Sequence, residues 1–405
     1  MLCCRKRAGP APVVTHAATT LAARRSISRT TRPLAFCREL IAVAYADQSY
    51  TVYGAASGAL FAFNWAVCRA TELLTFSAPI RALCCIGREA YVGLSDGTVH
   101  LVSNISSENC QATRLLSRRS AIVALTTIGS SGNLYLCVGT KDCNVSVYRL
   151  AIARLSYTVA RGTSGWRGQG SKQPDGHDDT QTTDDEEEGD EEKEDTSLLK
   201  PEWVIQQEYA TPTSLAGCEL CFGYGAEDLS FYYCSVPTQR VILSVPDPTH
   251  FPRAVHIFER SSAYGQPGTR MALLGYNGEN GDGGHVRLVN LGTGEGQTVF
   301  ERCPNGCLAV YGVLYYAFIA EAKGLTVLRL PGPGVARGTP LHSETFESDH
   351  VLLKCDFTII SLNERGTAVC ASLLFTEGEH ARMTLRVTLE DDAVNVETIG
   401  SAAVL

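Results

Sequence analysis

Short apolar runs recur along the chain, each followed by a small turn bearing Gly, Asp or Asn and then by a run in which apolar and polar residues alternate. The clearest copies are YTVYGAASGALFAFNW (residues 50–65), AYVGLSDGTVHLVS (90–103) and LYLCVGTKDCNVSVYRL (134–150). Further copies are ELCFGYGAEDLSFYYCS (219–235), MALLGYNGENGDGGHVRLVNL (271–291) and VLYYAFIAEAKGLTVLRL (313–330). A seventh, more irregular copy is TAVCASLLFTEGEHARMTLRVTL (367–389). A two-residue alternation marks strands with one face covered, and a continuous apolar run marks strands covered on both. The flanks supply further strands. PIRALCC (79–85), AIVALTTIG (121–129), TSLAGC (213–218) and AVHIFE (254–259) read as inner strands. QATRLLS (111–117), RVILSV (240–245), QTVFERC (297–303) and AVNVETI (393–399) read as outer ones. Long helices are not expected anywhere.

The turns centre on Ser57, Asp96, Asp142, Glu227, Asp282, Lys323 and Gly378. Their spacing suits one four-stranded unit of ~40–50 residues plus loop insertions, except between Asp142 and Glu227. That interval holds residues 158–200, which are acidic and Gly-rich and lack any period; such a stretch cannot bury enough apolar surface to offset its ordering entropy. Subtracting it restores the ordinary repeat. If WVIQQE within 202–208 is the fourth strand of the third unit, the acidic segment leaves from one face. If RLSYTV (154–159) is that strand, it leaves from the other. The first is preferred, because WVIQQE directly precedes the next inner strand.

Seven such units predict an all-β fold, a single β-propeller of most plausibly seven four-stranded blades, with six to eight admissible. The predicted boundaries are a basic disordered segment 1–35, a propeller 36–400, and the acidic disordered insertion 158–200 in the third blade. Either the N-terminal segment or VNVETIGSAAVL could complete the last blade. The phrases SDGTVHLV (95–102) and KDCNVSVY (141–148) resemble the core of a WD repeat, so the chain resembles a divergent WD-repeat propeller. The blades read as lacking the family's Gly-His and Trp-Asp dipeptides; only Asp349-His350 could stand in for the former. Within that family, SAPIRALCC before AYVGLSDGTV resembles an early blade of the compact adaptor propellers of the spindle checkpoint and mRNA export. That resemblance implies a ring holding a short peptide of a larger protein.

Charge refines this picture. The 405 residues carry a net charge of −8, with 19% charged residues. Residues 1–38 hold eight basic residues and no acid, and residues 175–195 hold thirteen acids and one Lys. Without both segments the remainder is nearly neutral, so no overall field draws it to nucleic acid or an acidic membrane. No apolar stretch is long enough for a spanning helix. The Arg-, Ser- and Ala-rich start has the composition of an organellar transit peptide, although Pro10 and Pro12 interrupt an amphipathic helix. The 16 cysteines sit largely inside apolar runs, where a free thiol acts as a small hydrophobe, which suggests a reducing compartment, cytoplasm or nucleus. Asp178–Asp195 could act as an electrostatic arm for a basic partner.

Motifs for chemistry are sparse. Gly292-Thr293-Gly294-Glu295-Gly296 superficially resembles a phosphate loop, but the next segment reads as a strand and not as a helix opening. Cys218/Cys221 and Cys303/Cys307 could form two halves of a zinc site only if the first pair straddles a turn, and the pairs fall in different blades. The segment from Asn277 to Gly284 lacks a calcium-loop register. No cofactor or metal is expected, and no catalytic residue is assigned. The expected function is a non-catalytic scaffold holding a peptide or helix on the face that carries the blade connections. Arg81, Arg118, Arg119, Lys141, Arg253 and His350 are the candidate partner-binding residues, since Arg pairs bidentately with carboxylates. The alternatives are an imported propeller docking on a ribonucleoprotein and, last, a propeller enzyme with ionisable groups around the channel.

Overall fold

A computed structural model describes residues 40–403 apart from 108, 131–132, 151–198, 208–209, 261–267, 279–282, 333–336, 347–350, 364–365, 377–378 and 389–391. The predicted basic start, the acidic segment and His350 therefore lie outside the described residues. The described residues form seven four-stranded antiparallel sheets, each made of strands consecutive in sequence. Blade 1 holds β1 (Leu40–Tyr45), β2 (Tyr50–Ala55), β3 (Ala59–Asn64) and β4 (Arg69–Thr75). Blade 2 holds β5 (Ile80–Ile86), β6 (Glu89–Leu94), β7 (Thr98–Ser103) and β8 (Gln111–Ser117). Blade 3 holds β9 (Ile122–Ser130), β10 (Asn133–Thr140), β11 (Asn144–Leu150) and β12 (Trp203–Gln206). Blade 4 holds β13 (Pro212–Cys218), β14 (Cys221–Ala226), β15 (Ser230–Ser235) and β16 (Arg240–Pro246). Blade 5 holds β17 (Phe251–Arg260), β18 (Thr269–Asn277), β19 (Gly284–Asn290) and β20 (Gly296–Phe300). Blade 6 holds β21 (Cys307–Val313), β22 (Tyr316–Glu321), β23 (Gly324–Arg329) and β24 (Thr339–Thr345). Blade 7 holds β25 (Leu352–Asn363), β26 (Gly366–Phe375), β27 (Glu379–Thr388) and β28 (Val394–Ala403).

The strands named from the sequence are found within a few residues of their places, β1, β4, β21, β24 and β25 are additional, and Trp203–Gln206 pairs with β11 as the fourth strand of blade 3. Residues 151–198 thus join a third strand to a fourth. Because neighbouring strands are antiparallel, third-to-fourth and first-to-second turns share one face of the ring. Second-to-third turns and blade connections share the other. Second strands are the ones covered on both faces: β2, β6 and β14 are buried along nearly their whole length. First strands such as β5 are mostly half-buried, because their inner edge borders the central channel. The C-terminal segment completes blade 7, since β28 pairs with β27 while β1 heads its own sheet.

The core consists of the seams between blades. Phe231 and Tyr233 of blade 4 meet Ala272, Leu274 and Tyr276 of blade 5 in one apolar cluster, and Phe318 of blade 6 meets Leu373 and Met383 of blade 7 in another. A repeated device sets the blade spacing. Each first strand carries a bulge at its second residue, which is Ile41, Arg81, Val123, Thr213, Arg253, Leu308 or Leu353 in turn. The residue before the bulge buries its side chain against a glycine of the preceding blade's second strand. A Cβ on Gly54 would lie 2.5 Å from Ile80 Cγ2, one on Gly93 2.5 Å from Ile122 Cγ2, and one on Gly275 2.3 Å from Cys307 Sγ. Gly139 and Gly225 receive Pro212 and Pro252 in the same way. Ala320 and Leu374 stand at the matching positions of blades 6 and 7.

Ring closure between blades 7 and 1 is different. No strand is exchanged. Arg382, only 2% exposed, reaches from β27 and donates to the backbone carbonyls of Gln48 (2.6 Å) and Asp47 (2.8 Å). Its Nε donates to Cys370 Sγ, and its guanidinium lies over the rings of Tyr45 and Trp65. The Tyr45 N–H donates to Asp356 Oδ2 at 2.6 Å. His380 fills the remaining space among Tyr53, Phe63 and Trp65.

Candidate functional site

The channel is a cavity of roughly 410 Å3 bordered by the first strands of all seven blades. Its mouth on the face of the blade connections is shaped by the bulges. A bulge turns one extra side chain out of the ladder, and in blades 2 and 5 that side chain is Arg81 and Arg253, both exposed. Arg253 spreads over the ring of Phe251, with 5.3 Å from guanidinium carbon to ring centroid. In blade 7 the residue after the bulge is Lys354, where five other blades have Ala and one has Ser. Desolvation by its surroundings, and then the positive charge of Arg253, push the Lys354 pKa down. Two cations that repel across one opening, with no ion-pair partner for either among the described residues, define an anion-seeking mouth.

Four acids of this face are engaged in their own turns or connections. Asp96 accepts from the Thr98 N–H and hydroxyl, Asp142 from the Thr140 hydroxyl, and Asp228 from the Ser230 N–H and Tyr232 hydroxyl. Asp247, buried in the blade 4–5 connection, accepts from the N–H groups of Thr249 and His250 and faces His285 and Arg287 at 3.4 and 3.6 Å.

The remaining candidates divide. Arg119 and Lys141 are exposed on the same face, in the blade 2–3 connection and the β10–β11 turn. Arg118 is used internally: its Nε donates to Tyr148 Oη at 2.6 Å, Nη2 donates to Ser146 Oγ at 2.9 Å, and the guanidinium lies over the Tyr148 ring. It staples the connection after blade 2 onto blade 3. His350 belongs to the blade 6–7 connection outside the described residues. Lys354 escaped the sequence reading; aligning the seven first strands at their bulges exposes it, since it replaces a small residue.

Inside the channel the ionisable groups are held neutral or singly satisfied. Burial raises the Asp356 pKa to about 6, opposed by the hydrogen bond from Tyr45. Burial lowers His256 to about 4, and its Nδ1 accepts from the Gly312 N–H at 3.0 Å. Burial, reinforced by the Asp356 charge, lifts the Cys84 thiol to about 12 and keeps Cys85 and Cys355 protonated. No pair here has the nucleophile–base contact of covalent catalysis. The GTGEG segment forms the turn between β19 and β20. Cys218 and Cys221 do straddle a turn, whereas Cys303 and Cys307 are buried at the entrance to blade 6; among the described residues no three ligand-type side chains are grouped to hold a metal. Asn277 has its amide committed to the backbone of Cys307.

No protein-family model and no curated protein matches the chain. Solved structures do. The structure of U3-55K aligns with a TM-score of 0.56 and 11% identity over 84% of this chain and 89% of that one. The crystal structure of RRP9 WD40 repeats gives the same TM-score and identity over 84% and 88%. The chain is a seven-bladed β-propeller with the ring architecture of WD40 repeats. It is divergent at the fingerprints: one Gly-His pair, Gly284-His285, does fall in a blade, but it opens the third strand β19 instead of preceding a first strand.

Proposed function

We propose that this propeller is a non-catalytic interaction scaffold that holds an acidic segment of a larger protein across its channel mouth. The observation that carries the reading is the cation set Arg81, Arg253 and Lys354 on the innermost strands, without ion-pair partners among the described residues, while Asp96 and Asp228 of the same face are engaged in their own turns. Arg119 and Lys141 extend the same positive surface outward. A carboxylate between Arg253 and Lys354 gains charge-assisted hydrogen bonds and relieves the repulsion between them, and a further acid of the same segment can pair with Arg81. The propeller supplies a rigid frame, so little ordering of the receptor opposes binding. The WD40 likeness supports a scaffold at the level of fold alone. The buried thiols favour a reducing compartment, cytoplasm or nucleus. Import through residues 1–38 is the alternative, and N-terminal sequencing of the protein from cells separates the two.

The test is fluorescence anisotropy with labelled Asp/Glu-rich peptides. Arg81→Glu/Arg253→Glu is expected to weaken binding at least about 100-fold, as two charge-assisted contacts worth ~1.5–3 kcal/mol each are lost. Arg240→Glu, on the outer strand of blade 4, serves as the control and should leave binding unchanged. Equal binding by the double variant, or no acidic peptide bound by the wild type, overturns the reading.

A further inference from the structure

The face opposite the channel mouth carries a cysteine pair built for a different chemistry. Cys218 ends β13 and Cys221 begins β14, and the two are register partners across the two-residue turn Glu219-Leu220, with Glu219 at φ 44°. Residues directly opposite on antiparallel strands point to the same face, and both cysteines pack against the same apolar cluster. The Cα separation of such a pair, ~5.5 Å, lies within the range that a disulfide spans. Both thiols are half-buried, so small solutes reach them. The Arg270 Nη1 donates to Cys221 Sγ at 3.7 Å and to Tyr233 Oη at 3.1 Å. Glu219 and Glu259 hold its other nitrogen at 2.9 and 3.4 Å. This guanidinium, itself held by two carboxylates, is placed to orient the Cys221 sulfur.

We infer that Cys218 and Cys221 are a reversible dithiol–disulfide pair, oxidised by hydroperoxide, with Cys221 as the attacking sulfur and Cys218 as the resolving one. The Cys221 thiolate attacks one oxygen of hydrogen peroxide. The O–O bond breaks, the departing hydroxide takes a proton to become water, and Cys221 is left as a sulfenic acid. The Cys218 sulfur then attacks the Cys221 sulfur. The S–O bond breaks, and the second water leaves with the Cys218 proton. Two thiols lose two electrons, and one peroxide gains them. Two glutathione thiols reduce the disulfide back to the dithiol and leave as glutathione disulfide. Burial raises the Cys218 pKa to about 11, which suits a resolving thiol that stays protonated until the sulfenic acid forms. The molecule contains its own controls. Cys68 is exposed but has no cysteine partner across its turn, and Cys303 and Cys307 are fully buried.

The experiment exposes the full-length reduced protein to micromolar hydrogen peroxide and quantifies each cysteine by differential alkylation and mass spectrometry. Cys218 and Cys221 are expected to be lost together as a linked pair, well before Cys68. Cys218→Ser should accumulate a dimedone-trapped sulfenic acid on Cys221, and Cys221→Ser should leave Cys218 a thiol. Arg270→Gln, which removes the cation held beside the Cys221 sulfur, is expected to slow oxidation about tenfold, and Arg270→Lys should restore most of the rate. Oxidation of the pair no faster than Cys68, or no trapped sulfenic acid in Cys218→Ser, overturns the inference.

Discussion

Five of the seven seams of this ring and the one that closes it solve the same packing problem with opposite chemistry. From blade 1 to blade 6, each seam presses an apolar side chain, or the thiol of Cys307, onto a glycine of the preceding blade, and close van der Waals fit does the work. Between blades 7 and 1 the glycine is replaced by Leu374, and a buried guanidinium spans the gap to two backbone carbonyls. The difference follows from covalent connection. Neighbouring blades joined by the chain are already held near register, so shape alone can finish the fit. Blades 7 and 1 meet with no chain between them. There, hydrogen bonds of fixed direction supply the register that shape leaves free.

The largest effect should come from Arg382→Ala. Removing the guanidinium strands the carbonyls of Asp47 and Gln48 and opens a cavity beneath Tyr45 and Trp65, at an expected loss of ~3–5 kcal/mol in urea unfolding. Gly93→Ala is the equivalent challenge to a shape-fitted seam. Its Cβ would meet Ile122 at 2.5 Å, with an expected loss of ~1–3 kcal/mol. Gly332→Ala has open space around it and should be nearly silent in the same measurement.

A third comparison uses acid. Burial lowers the His380 pKa to about 3, and neither ring nitrogen has a hydrogen-bond partner. The folded state therefore refuses a proton that the unfolded chain accepts below ~6.5. Stability from this site is complete above that pH and is lost as pH falls toward 3. His380→Phe keeps the aromatic packing with Tyr53, Phe63 and Trp65. It should gain ~1–2 kcal/mol relative to wild type at pH 5, with little difference at pH 8. Asp356 runs the other way. Its raised pKa of about 6 contributes stability below ~4 that is lost as pH rises through 6. Asp356→Asn should flatten that part of the profile.

Most strands were legible because their periods are local. QATRLLS is β8 residue for residue, and WVIQ within the favoured segment is β12. The packing partner of each of the five seam glycines lies in the next blade, and nothing in the sequence pairs Gly93 with Ile122. Arg382 was hidden for the same reason. In ARMTLRVT it alternates like an ordinary exposed strand charge, and only contact with blade 1 makes it a core residue. The irregularity of the seventh copy has a structural counterpart, since β25 to β28 run to 10–12 residues and make blade 7 the longest. Among the site residues, the positions on the connection face followed from topology. Whether a cation stands free, as Arg253 does, or is tied down, as Arg118 is, depends on side chains thirty residues away.

Sequential blades without strand exchange also set an order of events during synthesis. Every sheet finds all its partners within one continuous stretch of chain, so each blade can finish its ladder soon after leaving the ribosome, without waiting for a distant strand. Only the last handshake is deferred, because Asp47 and Gln48 wait from the first hairpin until Arg382 is made. Until then the growing protein is an open arc with a bare end at each side, and circularity arrives as a single late event.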